Sequence, residues 1–67
     1  MNEMLLKAKM VEHGVTDHEM ADIIGIDASS FYRKKCGKSD FFRKEIQAMK
    51  IHLGLSGDDI DRIFFDR

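Results

Sequence analysis

The chain has 67 residues, of which 43% are hydrophobic and 34% charged, with a net charge of −1. That length supports one domain over residues 1–67, with a small core. The single cysteine, Cys36, excludes an internal disulfide, and no apolar stretch reaches membrane-spanning length.

Proline is absent and no strand-type alternation is found, so the expected fold class is all-α. The start, MNEMLLKAKM, lacks a basic segment ahead of a long apolar run, so no signal peptide is expected. Together with the lone cysteine this fits a reducing cytoplasm.

A first helix is predicted from Glu3 to His13, stopping at Gly14. Leu6 and Met10 sit one turn apart and face the core, with Val15 just beyond; Lys7, Lys9 and Glu12 form the wet side. The second helix is predicted over Asp17–Ile24. Thr16 and Glu19 make a capping box ahead of Met20, Ala21 and Ile24 at helical spacing. Gly25 stops it, because the residue past a helix end often takes a positive φ that only glycine adopts cheaply. Ile26 anchors the turn. Asp27 caps a third helix over Ala28–Lys35, which carries Phe31 inward and runs out at Gly37.

A loop with Lys38, Ser39 and Asp40 follows. The fourth helix is predicted over about Arg43–Leu53, with Ile46, Met49, Lys50 and Leu53 at helical spacing and Gly54 as its stop. Ser56 then precedes Asp58 and Asp59, acids suited to the first turn of a fifth helix reaching about Phe65. The predicted core adds Phe41, Leu55, Ile60 and Phe64 to the inward residues above. For the methionines and phenylalanines, packing is the ordinary role.

Two helices joined by so short a turn cross steeply and need a small residue where they touch; Ala21, four before Gly25, is placed for that. Small Ala21, turn Gly25 and apolar Met20, Ile24, Ile26 and Phe31 resemble the helix-turn-helix of the lambda-repressor-like family (Cro and repressor proteins, XRE-type). The flanks match too, so the resemblance covers nearly the whole chain and implies a compact five-helix domain. Four residues, in three places, depart from the family pattern. Phe42 stands where the fourth helix usually has a Thr or Ser cap, which shifts the expected cap to Asp40 or Ser39. Lys34 and Lys35 stand where an apolar residue is common, so that one aliphatic stem is expected to cover the core. Asp17 replaces a phosphate-contacting polar residue, and an acid there repels DNA.

The resemblance implies that the third helix lies in the major groove with its first residues against base edges. By position, the base-contact candidates are Ala28, Ser29, Tyr32 and Arg33. Arg33 offers a bidentate fork to guanine, Ala28 meets only a thymine methyl, and Ser29 discriminates weakly. Ser30 is read instead as a local helix-start hydrogen bond. The phosphate-contact candidates are Lys34, Lys35, Lys38, Arg43 and Lys44. Between Ala28 and Lys50 seven bases face two acids, a local charge of +5 inside a chain of net −1. Such a basic centre with acidic ends is an electrostatic footprint for phosphate, although a charge run alone is usually a solvated face.

His13, His18, His52, Cys36 and the aspartates near Asp58 show no metal-ligand spacing, and Asp58, Asp59 and Asp61 lack the glycine and distal glutamate of a calcium loop. Cys36 has no evident paired base. No enzyme, cofactor, metal or small-molecule ligand is expected. On the fifth helix, Ile60 and Phe64 face inward while Phe65 lies about 100° round the axis from Phe64. Ile63 and Phe65 are therefore the candidates for a homodimer contact. The expected function is a sequence-specific regulator, nucleoid-associated in a bacterial cytoplasm, binding a palindromic operator on double-stranded DNA as a dimer. The alternative is a protein-interaction module, antitoxin-like or partner-binding, on the same frame.

Overall fold

In the computed structural model, residues 1–65 are described. Five helices follow one another, α1 (Glu3–Glu12), α2 (Asp17–Ile24), α3 (Ala28–Lys35), α4 (Arg43–Leu53) and α5 (Gly57–Phe64), and no strand occurs among the described residues. The radius of gyration is 10.5 Å, against about 11 Å for a packed chain of this length, so the helices close on one core.

Local chemistry sets the helix starts. Asn2 accepts the Leu5 amide at 3.1 Å to begin α1. At α2, Glu19 N–H donates to Thr16 Oγ1 at 3.2 Å and Thr16 N–H donates to Glu19 Oε1 at 3.0 Å, a complete capping box. Ser56 and Asp59 repeat that arrangement at α5, with both bonds at 3.0 Å. The start of α4 differs from expectation. It opens at Arg43 behind Phe42, with neither Asp40 nor Ser39 as its cap. Phe42 has no side-chain acceptor to offer. Instead the Glu45 carboxylate reaches back and takes the Phe42 amide at 2.9 Å. Both outer helices are also slightly shorter than expected: α1 ends at Glu12 rather than His13, and α5 at Phe64 rather than Phe65.

The core comprises Leu6, Met10, Met20, Ala21, Phe31, Met49, Leu53, Leu55 and Ile63. Val15, Ile24, Ile26, Phe41, Ile60 and Phe64 pack against it, partly buried, together with Leu5, which periodicity had not singled out. Ile46 is only half-buried. The α2 helix packs on α3 and α4, and α1 packs on α5. Phe41, in the loop before α4, has its ring 5.8 Å from Phe31 and 5.6 Å from Phe64 in an edge-on contact, so three aromatic rings join α3 to α5.

Ile63 corrects the sequence reading. It is wholly buried and its carbonyl accepts the Asn2 amide at 2.7 Å, because the start of α1 lies across this part of α5. It belongs to the chain's own core and is not a dimer contact. Phe65 is 54% exposed.

Candidate nucleic-acid interface

The geometry of α3 is fixed at its entrance by the turn from α2. Gly25 takes φ +82°, its amide donates to Ala21 O at 2.9 Å, and the Ile26 amide donates to the same carbonyl at 3.0 Å. These bonds satisfy the end of α2 and reverse the chain within three residues. Ala21 is 1% exposed, which fits a small side chain at the meeting of α2 and α3. Asp27 then accepts the Ser30 amide at 3.1 Å. Hydrogen bonds from the Ser30 side chain and then its amide hold the Asp27 carboxyl below its ordinary pKa, so the cap is a carboxylate at neutral pH. Ser30 is thus engaged at the helix start, as its position suggested.

Once started, α3 divides by face. Phe31 and Lys34, one turn apart, point inward. Ala28, Ser29, Tyr32 and Arg33 line a shallow open groove of about 590 Å³, together with Asp17 and His18 from the first turn of α2. All four base-contact candidates therefore share one surface. Tyr32 is 56% exposed. The Cys36 side chain, by hydrogen bonding first and by charge second, raises the Tyr32 phenol above its ordinary pKa, so it remains a hydroxyl donor. His18 and Asp22, one helical turn apart, form no ion pair among the described residues. The place of His18 at the groove was missed. The available signal was its position beside Asp17 in the first turn of α2.

The basic residues separate into two groups. Lys34 is 9% exposed; its ammonium lies 2.7 and 2.9 Å from the two Glu45 oxygens and 4.0 Å from the centre of the Phe42 ring. Of the two lysines, one of whose stems was expected to cover the core, it is the one that takes the inward position, and its charge is neutralised inside the molecule. Lys34 is therefore withdrawn as a phosphate contact. Lys35 is half-buried and bonds Asp17 Oδ2 at 2.8 Å, with its ammonium 5.5 Å from the Tyr32 ring. This pair also answers the Asp17 departure, since the acid at the edge of the groove is balanced by a lysine one helix away. Lys35 is thus engaged rather than free.

Lys38, Arg43 and Lys44 are exposed, the first in the loop and the others in the first turn of α4, and none of them lines the groove. With Arg33 they form the solvent-facing cations of this region. No group of three or more His, Cys, Asp or Glu residues is placed to hold a metal among the described residues. No described helix is long and apolar enough to cross a membrane. No family model, curated protein or solved structure matches this chain.

Proposed function

We infer that the chain is a sequence-specific DNA-binding regulator of the lambda-repressor-like kind, a small phage- or mobile-element-type repressor that inserts α3 into the major groove of a palindromic operator as a dimer. The observation that carries this reading is the shared groove. Ala28, Ser29, Tyr32 and Arg33 stand on one open face of α3, while Phe31 and Lys34 fix the opposite face to the core. Arg33 supplies the strongest base reader, and Lys38, Arg43 and Lys44 the phosphate contacts.

A second reading, a partner-binding module on the same frame, is favoured by the internal engagement of Lys34 and Lys35, which reduces the free positive charge. One pair of measurements separates the two. Selection from random duplex should enrich a palindrome, and affinity should fall steeply with salt as counterions are released. No enrichment together with a flat salt series refutes the DNA reading and leaves the partner-binding one.

A further inference from the structure

The least explained surface is the outer side of α1. Its inner side buries Leu6 and Met10. Its outer side exposes Met4 at 83% and Val11 at 69%, with Ala8, also exposed, between them. A helix on the surface of a small domain ordinarily shows one apolar face and one polar face. This one has two. Met4, Ala8 and Val11 recur at spacings of four and three, the pattern of the inner positions of a coiled coil. Lys7 and Glu12 flank them on opposite sides, and the five residues line a shallow depression of about 590 Å³.

We propose that this face pairs with the same face of a second copy, α1 against α1 in parallel, as a short coiled-coil seam. The charges choose both the occupant and the direction. In a parallel two-fold pair, the Lys7 flank of one copy faces the Glu12 flank of the other, so two opposite-charge contacts form. An antiparallel pair sets Lys7 against Lys7 and Glu12 against Glu12. Both residues are available. Glu12 is 64% exposed with only a 3.9 Å contact to Lys9, and Lys7 has no ion-pair partner among the described residues. Ala8, small and central, lets the two helices approach closely. The rival surface on α5 has lost Ile63 to the core and retains Phe65 alone. The seam is short, so association is weak and concentration-dependent. The inference does not rest on the DNA reading, and its test contains no DNA.

The test is sedimentation equilibrium of the whole chain from about 10 µM to about 1 mM, a range that spans weak association. Circular dichroism checks that each variant is folded; the altered side chains are exposed, so helicity should be unchanged. Wild type should dimerise across the range. Val11→Glu should abolish the dimer and Phe65→Asp should leave it intact. Lys7→Glu and Glu12→Lys should each weaken it at least tenfold, and the two substitutions in one chain should restore it. A wild type monomeric up to about 1 mM overturns the proposal, as does a dimer lost in Phe65→Asp but retained in Val11→Glu. Single charge variants that dimerise like wild type overturn the parallel arrangement, as does a double variant that fails to recover.

Discussion

Replacing Glu45 by Ala should nearly unfold the protein. Glu45 is 5% exposed, and one of its oxygens serves both Lys34 Nζ at 2.7 Å and the Phe42 amide at 2.9 Å. Truncation strands an ammonium whose side chain is only 11% exposed and removes the acceptor that starts α4. Breaking a buried pair by deleting one member costs about 3–5 kcal/mol. A chain of this size has only about 3–5 kcal/mol of total stability from its core. The two figures are comparable, so Glu45→Ala should be largely unfolded at room temperature without denaturant. Lys34→Met should cost less, because Glu45 keeps the Phe42 amide as a partner. Lys34→Met with Glu45→Gln should recover much of the loss, since both charges leave together while an acceptor for Phe42 remains. Urea unfolding followed by far-ultraviolet circular dichroism measures each step, with sucrose added where the folded population is small. A Glu45→Ala cost below about 1 kcal/mol refutes the reasoning, because that is the scale of a solvated surface pair. Strictly additive costs for Lys34→Met and Glu45→Gln, each measured singly and then together, refute it too, since contacting partners must couple.

Four further outcomes are expected. Arg33→Ala should cost about 1–3 kcal/mol per half-site and relax specificity at one base pair, whereas Lys38→Ala and Lys44→Ala should weaken all sequences alike and lower the salt slope by about one each; affinities for an operator and its single-base variants at several salt concentrations check this, and a uniform loss in Arg33→Ala moves base reading to Ser29 and Tyr32. Asp17→Asn should free Lys35, tighten nonspecific binding and steepen the salt slope by about one, while costing at most about 1 kcal/mol of stability because the Asp17 side chain is 41% exposed; an unchanged slope means Lys35 reaches no phosphate. Amide and hydroxyl donors hold the capping carboxylates Glu19, Asp27 and Asp59 below their ordinary pKa, so their contribution is complete above the unfolded carboxylate range near pH ~4 and is lost as pH falls through the lower folded values; thermal unfolding from neutral to acid pH should show that limb, and replacing all three by their amides should flatten it. Helicity should survive a strong chelator, as no metal-holding group occurs among the described residues, and its loss on chelation would disprove a metal-free fold.

The sequence made the middle of the molecule legible because its signals there are local. The Thr16–Glu19 box, Gly25 and Asp27 act within three or four residues, and α2 begins and ends, and α3 begins, where those residues place them. What stayed hidden depends on contacts between helices. Lys34 reads as a phosphate-contact candidate, one of two lysines whose stem covers the core, and the partner of its charge lies eleven residues away on another helix. No periodicity announces such a pair. The Asp17–Lys35 bond spans eighteen residues and was equally invisible. Ile63 was closer to legible. With Ile60 and Phe64 it completes a three- and four-residue repeat, but which of the three lies deepest is decided by the start of α1 crossing over it. The α3 side of the groove was legible because one face of one helix carries it; on the α2 side Asp17 was placed by the resemblance, and His18 beside it was not.

The 2.7 Å bond from the Asn2 amide to the Ile63 carbonyl makes the backbone almost a closed ring. Residues 2 and 63 therefore stand side by side, so groups fused just ahead of the one and just after the other would crowd each other. A short linker from residue 65 back to residue 2 should be nearly strain-free. New ends can then be opened in the exposed stretch Lys38–Asp40, where few bonds hold the backbone. Such a circular permutant keeps every helix but makes α3 the last and α4 the first. The Lys34–Glu45 pair would then bridge the two ends of the chain, and the order in which helices are synthesised would no longer match the order in which α3 meets its support.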